Sequence, residues 1–199
     1  MKLGIFGGTF DPIHHGHLIL ADHCRDACGL DEVRFVPAAS PPHKDDSEIT
    51  PAQQRAEMAE LAVAGCPDLA VSRIELDRTG PSYTVDTLQQ LTDEGADREL
   101  FLIMGADSLA DLPTWREPER IASLATIVVA NRGRAALPDT ASLAGTLGEA
   151  VASRIQTVDI PPIDISSTRI RTRIRESQTV RFLTPRAVEA LIRELHLYE

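Results

Sequence analysis

The sequence predicts an α/β fold in which a doubly wound parallel sheet carries helices on both faces. Short apolar segments alternate with helical patterns along the chain, which is the order that parallel strands joined by helical crossovers require. Residues 100–104 and 125–130 are apolar at nearly every position, as expected for central strands. With 199 residues, 43% of them hydrophobic, we expect a single domain over residues 1–199.

The predicted elements follow one another in a regular order. Strands are predicted at residues 3–6, 32–37, 69–72, 100–104, 125–130 and 155–158. Helices are predicted from residue 17, over 50–63, over 84–91, over 169–175 and from residue 184. The segment 133–148 is small, polar and glycine-containing, and we expect it to be a surface excursion.

Local signals predict the start of two helices. Thr50, Pro51 and Gln53 have the spacing of a capping box with a proline at the first helical position. Thr184-Pro185, a threonine followed by proline, likewise predicts a helix start near the C-terminus. The last helix should then pack through residues at helical spacing, which are Ala187, Leu191 and Leu195.

Net charge excludes some partners. A formal charge of -10 and a pI near 5.0 argue against nonspecific binding to nucleic acid or to anionic membranes, which needs a basic surface. No segment reaches the roughly 18 apolar residues of a membrane span, and the N-terminus has no signal-peptide profile. We therefore expect a cytoplasmic protein, and the oligomeric state stays open, a homo-oligomer included.

Residues 7–17, GGTFDPIHHGH, lie between the first predicted strand and the first predicted helix. Paired glycines let a ligand approach the backbone, and a helix N-terminus favours an anion. The segment matches neither a Walker loop nor Gly-x-Gly-x-x-Gly, so the phosphate donors here would be imidazoles and backbone amides. Because ligands of such sheets bind at the carboxyl ends of the strands, the motifs that follow residues 6, 36, 104 and 130 should share one cleft.

Other interpretations of the histidines are less favoured. His14 and His17 could be structural residues, or with His15 and His23 they could suggest a metal cluster. Zinc needs three or four convergent ligands at a recognised spacing, which a loop rich in glycine and proline does not provide. We therefore predict no metal ligands among the protein side chains.

A second basic segment lies near the C-terminus. Ser166-Ser167-Thr168 precedes a helix that carries arginines at 169, 171, 173 and 175, the densest positive charge in the sequence. Taken alone, this pattern favours a serine cap followed by a solvated basic face. Taken with the histidine segment, it favours a site for a triphosphate, because hydroxyls at a helix start and guanidinium groups both bind phosphate.

Two further residues stand out because their types are rare in this chain. Lys44 is one of only two lysines, and a compact, mobile ammonium suits a phosphate, although a chance lysine on a proline-rich loop is the alternative. Trp115 is the single tryptophan, and a lone tryptophan is more often packed than stacked on a ligand.

His14-x-Gly16-His17 resembles the histidine signature of the nucleotidylyltransferase superfamily, and the longer segment 7–17 is similar to its bacterial nicotinate-nucleotide adenylyltransferase branch. Three further motifs agree in the same order: Pro-Pro-His-Lys at 41–44, Pro-Thr-Trp at 113–115 and ISSTRIR at 165–171. The resemblance spans nearly the whole chain. It implies a Rossmann-like fold and adenylyl transfer from ATP to nicotinate mononucleotide, a step of NAD biosynthesis.

The resemblance also implies roles for individual residues. The catalytic residues would be His14, His17, Lys44 and Arg171. ATP would be bound by Gly7, Gly8, Thr9, Phe10, His14, His17, Gly105, Asp107, Ser166, Ser167, Thr168 and Arg171. The C-terminal part, about 166–199, would pack on the domain and complete the ATP site, and Mg²⁺ would bind through the ATP phosphates.

The same resemblance implies a second set of ligand-binding residues. Nicotinate mononucleotide would be bound by Thr9, His43, Lys44, Thr84, Trp115, Arg116 and Arg132, with the nicotinate ring stacked on Trp115. Arg116 departs from the tyrosine that is common after the tryptophan, and it could add positive charge beside the nicotinate.

Two other functions are alternatives to adenylyl transfer to nicotinate mononucleotide. Pantetheine-phosphate adenylyltransferases and cytidylyltransferases share the histidine signature but lack this combination of motifs. A nucleotide-binding regulatory module that catalyses no reaction is the alternative from another functional class. Release of pyrophosphate would distinguish an adenylyltransferase from such a module.

Overall fold

The computed structural model describes residues 1–40, 49–95, 97–131 and 140–199, in which strands and helices alternate. The strands are β1 (Lys2–Gly8), β2 (Glu32–Pro37), β3 (Leu69–Val71), β4 (Glu99–Gly105), β5 (Ala125–Asn131) and β6 (Ile155–Asp159). The helices are α1 (His15–Cys28), α2 (Ala52–Val63), α3 (Thr84–Asp93), α4 (Ala106–Asp111), α5 (Pro118–Leu124), α6 (Thr140–Leu147), α7 (Glu149–Ala152), α8 (Ser167–Arg175) and α9 (Arg186–Glu194), with a 3-10 helix at Leu112–Thr114.

The six strands form one sheet in the order β3-β2-β1-β4-β5-β6. The pairs β1–β4, β4–β5 and β5–β6 are parallel, with Leu3 opposite Leu100 and Leu102 opposite Ile127. β4 is buried from Leu100 to Met104 because a parallel strand covered on both faces needs apolar side chains in both directions. Starting from β1, the chain adds β2 and β3 on one side of the sheet and β4, β5 and β6 on the other. This order confirms the predicted doubly wound α/β fold.

The chain divides into two compact units, and the first comprises residues 1–7, 21–34 and 83–162. In this unit α3 packs against α5, and α5 against β5. Its core is aliphatic with few aromatic rings, as the composition requires, and includes Leu3, Ile5, Leu88, Leu91, Phe101, Ile103, Ile121, Ile127 and Val129.

The second unit comprises residues 8–20, 35–82 and 163–199. In this unit α2 packs against both β3 and α9. Its core includes Ile13, Phe35, Ala56, Met58, Ala59, Ile170, Val188 and Ile192. The unit therefore contains both α8 and nearly all of the histidine segment.

The predicted capping box of α2 is wrong. The helix begins at Ala52 after Pro51, and no side chain caps it. The Thr50 backbone N–H donates instead to Asp11 Oδ2 at 3.4 Å, and Gln53 Oε1 accepts from Arg73 Nη1 at 2.6 Å. Both residues are therefore used in tertiary contacts, which a local sequence pattern does not reveal.

The predicted packing face of α9 is also partly wrong. Leu191 is buried, but Ala187 is exposed and Leu195, which follows the helix, is 38% exposed. The apolar residues of the buried face are Val188, Leu191 and Ile192, and Leu195 lies beyond the end of the helix at Glu194.

Two predicted boundaries also differ. Helix α1 begins at His15, two residues earlier than expected. The segment 133–148 contains α6 rather than an irregular excursion, and its residues 133–139 lie outside the described part of the chain. Among the described residues, none of the helices has both the length and the apolar character needed to cross a bilayer.

Candidate active site

Residues 9–17, here called the histidine loop, connect β1 to the first turn of α1. The loop is largely buried, since Phe10, Asp11, Ile13 and His14 are each no more than 4% exposed. Buried backbone groups must find hydrogen-bond partners, so a loop in this position has to be held by its surroundings. Hydrogen bonds and ring contacts from surrounding residues hold the loop in place.

The rings of His14 and His17 stack on each other. Their centroids lie 3.7 Å apart with the planes inclined by 16°. The His14 backbone N–H donates to Nδ1 of His17 at 3.2 Å. Because Nδ1 of His17 acts as an acceptor, the proton of its neutral ring lies on Nε2, which is then a donor. His17 is partly exposed, whereas His14 is 3% exposed.

Phe10 also contacts the His17 ring. Its own ring meets His17 edge-on, with centroids 5.1 Å apart, and meets Phe35 at 5.6 Å. Phe10 has a φ of 50°, a backbone conformation that is unusual for a bulky residue and is found at functional sites. The Phe10 side chain is 2% exposed, so its ring orients His17 instead of facing solvent.

Two glycines make room for these rings. A Cβ atom at Gly8 would lie 2.9 Å from two ring carbons of Phe10. A Cβ atom at Gly16 would lie 3.0 Å from Nδ1 of His14. Gly8 and Gly16 are therefore required by the close approach of the aromatic and imidazole rings.

Helix α8 reaches the histidine loop through its first turns. Ser166 caps the helix by accepting a hydrogen bond from the Arg169 backbone N–H at 3.2 Å. The Ser167 hydroxyl donates to the Pro12 carbonyl at 2.9 Å, and Arg171 Nη1 donates to the Asp11 carbonyl at 2.7 Å. Arg171 is thus brought to the loop that carries His14 and His17, while Thr168 faces solvent.

Arg55 on α2 fixes the start of the loop. It is 1% exposed, and its Nη1 donates to the Thr9 carbonyl at 2.7 Å. Its other donors reach the carbonyls of Ala38 at 2.6 Å, Ala39 at 3.4 Å and Thr50 at 2.8 Å. One buried side chain therefore joins the residues after β2, the residue before α2 and the first residue of the loop.

The second unit therefore brings together several groups that bind anions. They are the Nε2 donor of His17, the N-terminus of α1 and the guanidinium of Arg171, in a chain whose formal charge is -10. Donors of this kind bind phosphate oxygens and stabilise charge that develops on them.

Other predicted site residues lie in the first unit. Gly105 ends β4 and a Cβ atom there would meet no atom within 4 Å, and Asp107 is exposed in the first turn of α4. Thr84 begins α3. Trp115 is partly exposed and follows the 3-10 helix, where its backbone N–H donates to the Leu112 carbonyl at 3.0 Å.

Arg116 is held by its neighbours in the first unit. Its guanidinium lies over the Tyr83 ring at 4.8 Å. It also lies 3.7 Å from an Asp86 carboxylate oxygen and 3.6 Å from one of Glu117. The Arg116 guanidinium next to Trp115 therefore interacts with two carboxylates, which offset part of its positive charge.

Three predicted site residues lie outside the described part of the chain. His43 and Lys44 fall within residues 41–48, and Arg132 within 132–139. Gly7, by contrast, is described: it is exposed, and a Cβ atom there would meet no atom within 4 Å.

Several residues that build the site were missed by the sequence analysis. Asp11, Arg55, Thr184 and Tyr198 all contact the histidine loop or belong to it. An arginine on the apolar face of α2, between Ala56, Ala59 and Met58, was a usable signal for Arg55. Tyr198 is separated from Asp11 by 187 positions and had no such signal.

The described residues contain no cluster of side chains suited to a metal ion. Within residues 1–40, 49–95, 97–131 and 140–199, no group of three His, Cys, Asp or Glu side chains converges in a way that could hold a metal ion.

Comparison with known sequences finds a matching family model and relatives that align along nearly the whole chain. The cytidylyltransferase-like family model matches residues 5–173. A protein of Roseiflexus sp. named "Probable nicotinate-nucleotide adenylyltransferase" is 48% identical over 196 residues, which cover 98% of this chain and 97% of that protein. A protein of the same name from Thermus thermophilus is 45% identical over 198 residues, which cover 100% of both chains.

Comparison with solved structures supports the fold. The nicotinic acid mononucleotide adenylyltransferase of Plasmodium falciparum complexed with NaAD superposes with a TM-score of 0.79 at 17% identity, covering 99% of this chain and 97% of that chain. The same enzyme complexed with APC gives a TM-score of 0.76 at 16% identity, covering 99% and 96% of the two chains.

Proposed function

The chain belongs to the cytidylyltransferase-like family and, within it, to the nicotinate-nucleotide adenylyltransferases, and from this premise we propose the reaction that it catalyses. The chain transfers the adenylyl group of ATP to nicotinate mononucleotide and releases nicotinate adenine dinucleotide and pyrophosphate. This reaction is a step of NAD biosynthesis.

The observation that carries the proposal is the orientation of His17. The ring is stacked on His14, contacted edge-on by Phe10 and fixed through Nδ1, so that Nε2 is the donor. Three contacts on one partly exposed imidazole leave little freedom for the ring. A donor prepared in this way stabilises a charged transition state without reorganising during the reaction.

The chemistry needs alignment and charge neutralisation. The nucleophile is a phosphate oxygen of nicotinate mononucleotide, which is already ionised at neutral pH, so no general base is required. It attacks the α-phosphorus of ATP as the bond to pyrophosphate breaks in line. We propose that His14, His17, Lys44 and Arg171 offset the negative charge on the α-phosphoryl oxygens and on the leaving pyrophosphate. No covalent intermediate forms, and trapping an adenylylated residue would contradict this.

We propose that ATP binds along the histidine loop and the start of α8. Gly7, Gly8, Thr9 and Phe10 precede the two histidines, and Phe10 would act through its backbone and through the His17 ring. Ser166, Ser167 and Thr168 would bind phosphate at the helix start, with residues 166–199 completing the ATP site. The hydrogen bonds from Ser167 to Pro12 and from Arg171 to Asp11 support this role for the C-terminal part. Gly105 and Asp107 are proposed for the nucleoside part.

A second group of residues is proposed for nicotinate mononucleotide. It comprises Thr9, His43, Lys44, Thr84, Trp115, Arg116 and Arg132. Trp115 would stack on the nicotinate ring, which its partial exposure permits. Arg116 already lies near Asp86 and Glu117, so we expect it to add less selectivity for a carboxylate than an isolated guanidinium would.

Adenylyl transfer by enzymes of this class uses a divalent metal ion, which we propose is Mg²⁺. The ion would enter on the ATP phosphates, since the described residues offer no cluster of three ligands for it. Bound there, it would offset charge on the phosphate oxygens. We also propose that the reaction takes place in the cytoplasm, where ATP is available.

The test is release of pyrophosphate from ATP with Mg²⁺ present and with one of three acceptors. These are nicotinate mononucleotide, nicotinamide mononucleotide and phosphopantetheine. Turnover with the first acceptor and much less with the others is expected, because a site of oriented donors favours the acid over the amide.

Two other outcomes would change the conclusion. Preference for another acceptor would retain the phosphate site and overturn the substrate assignment. Absence of release with all three acceptors would favour a nucleotide-binding module without turnover.

A further inference from the structure

The C-terminal segment contacts the histidine loop at four residues, Asp11, Pro12, Ile13 and His15. Asp11 is held through both its side chain and its carbonyl, by Tyr198 and Arg171. Further along the loop, the Pro12 carbonyl accepts from Ser167 Oγ, the Ile13 carbonyl accepts from Thr184 Oγ1 at 2.8 Å, and the His15 N–H donates to the Leu183 carbonyl at 3.0 Å. The position of the loop thus depends on contacts that the last 33 residues of the chain provide (167 to 199).

The contact between Tyr198 and Asp11 differs from the others because it reaches a side chain of the loop, whereas the others reach its backbone. The Tyr198 hydroxyl donates to Asp11 Oδ1 at 2.6 Å. Asp11 is 4% exposed, and its second oxygen accepts the Thr50 backbone N–H at 3.4 Å. The short bond to the phenol is therefore the stronger of the two contacts, and a buried carboxylate that loses such a donor becomes costly to maintain.

Tyr198 is well suited to remain a donor. Burial of the phenol raises the pKa of Tyr198, and the nearby Asp11 carboxylate raises it further. The Thr50 side chain also hydrogen-bonds the phenol and, with Arg171, acts in the opposite direction on that pKa. The phenol consequently keeps its proton at neutral pH and donates to Asp11.

We propose that Tyr198 is a positioning residue for adenylyl transfer, because its hydrogen bond to Asp11 fixes the peptide to which Arg171 is anchored and from which the chain leads to His14 and His17. The role rests on the proposed function. Tyr198 touches neither substrate nor reacting atoms in this account. It acts through Asp11, whose carbonyl accepts Arg171 Nη1 at 2.7 Å, and through the two residues that separate Asp11 from His14.

The main test compares Tyr198→Phe with the wild-type protein. The substitution removes one oxygen atom and keeps the ring. At a temperature well below the unfolding midpoint, we expect kcat to fall by about 10-fold with KM for ATP within about 2-fold, because misplaced groups weaken transition-state stabilisation more than substrate binding. Glu199→Ala is the matched control: it alters the neighbouring residue, which contacts His196, and leaves the phenol in place.

A double-mutant cycle tests whether the effect passes through Asp11. Asp11→Ala should lower kcat more than Tyr198→Phe does, and the double variant should be no slower than Asp11→Ala alone. Additive effects of the two substitutions would overturn the proposal. So would a Tyr198→Phe variant with unchanged kcat and a lowered unfolding midpoint, since Tyr198 would then only anchor the C-terminus.

A spectroscopic measurement separates this proposal from the proposed reaction. In proton NMR spectra of the ligand-free protein, Tyr198→Phe should shift the ring resonances of His14 and His17, and Glu199→Ala should leave them in place. This readout needs no turnover. A wild-type protein that releases no pyrophosphate would therefore refute the reaction, whereas unmoved His14 and His17 resonances in Tyr198→Phe would refute the positioning role.

Discussion

His17 is held by two ring contacts and by a hydrogen bond at one nitrogen, so its contribution can be tested by removing the ring alone. We expect His17→Ala to lower kcat by on the order of 100-fold or more, because a prepared donor to a developing charge is lost. The fold should persist, since the ring is partly exposed and belongs to the first turn of α1. Steady-state kinetics and circular dichroism measure the two effects.

The control for this variant lies on the same helix. His23 is exposed on α1, and His23→Ala should keep the wild-type kcat. A His17→Ala variant with nearly full activity would show that His17 is not a catalytic donor.

Gly7 and Gly8 are neighbours with different surroundings, which gives a matched pair of substitutions. Gly7→Ala adds a Cβ atom that meets no protein atom within 4 Å, so its unfolding midpoint should be unchanged and its KM for ATP should rise if the ligand occupies that space. Gly8→Ala places a Cβ atom 2.9 Å from the buried Phe10 ring, so it should lower both the unfolding midpoint and kcat.

Thermal unfolding and steady-state kinetics on both variants provide the test. Equal unfolding midpoints for Gly7→Ala and Gly8→Ala would contradict the account of Gly8. An unchanged KM for ATP in Gly7→Ala would remove the support for ligand contact at that position.

At the residue scale, the sequence drew attention to the histidine segment and to the start of α8 but did not show how their residues are held. The family resemblance implied the roles of His14, His17 and Arg171, and these roles stay predictions. The structure brings them to one loop. Asp11 was overlooked although it lies within the same motif, because its role depends on Tyr198 and Thr50, which are distant in sequence.

Between elements, α2 is tied to the segment after β3 by an ion pair with a pH dependence. Arg73 Nε and Nη2 donate to the two carboxylate oxygens of Glu60, at 2.7 and 2.8 Å. The hydrogen bond from Arg73 lowers the pKa of Glu60 below its usual value. The stabilisation is therefore present above the pKa of the unfolded chain and is lost as the pH falls through the pKa of the folded protein.

Glu60→Gln should reduce the free energy of unfolding at pH 7 by up to about 1 kcal/mol, a small value because the pair is partly exposed. The difference from the wild-type protein should vanish at a pH low enough to protonate the carboxyl group in the folded as well as in the unfolded state. Urea denaturation at both pH values measures this. Glu57→Gln, which faces solvent on the same helix, should lose less, and an equal loss would argue against the pair.

The elements themselves were largely predictable. Every predicted strand exists, because alternation and apolar runs are local properties of the sequence. The errors concern ends and faces. Thr50 resembles a cap but contacts Asp11 and Tyr198. The buried face of α9 includes Val188 and Ile192 in place of the predicted Ala187 and Leu195, because tertiary packing decides which face is covered.

For the whole molecule, the three cysteines report folding through their different exposure. All are free thiols: Cys24 is buried, Cys28 is half-buried and Cys66 is exposed. Burial raises the pKa of the Cys24 thiol to about 12, with a smaller contribution from Cys28, and burial also raises the pKa of Cys28. Thiolates are the reactive form, so Cys24 should be unreactive in the native protein.

A thiol reagent such as 5,5′-dithiobis(2-nitrobenzoate) should label Cys66 first and Cys24 only when the protein unfolds. Labelling followed by mass spectrometry of peptides identifies the sites. Cys66→Ser removes the fast reaction and serves as the control. Labelling of Cys24 as fast as that of Cys66, without denaturant, would show that the core around α1 opens easily. A reducing agent should leave the unfolding midpoint unchanged, because no disulfide joins these residues.

The bond between Tyr198 and Asp11 joins residues that are 187 positions apart in the chain. Contacts of such high sequence separation form late in folding, because the entropy of closing a long loop must be lost before the contact stabilises the chain. We therefore expect the histidine loop to reach its native position only near the end of folding, after the local helices have formed.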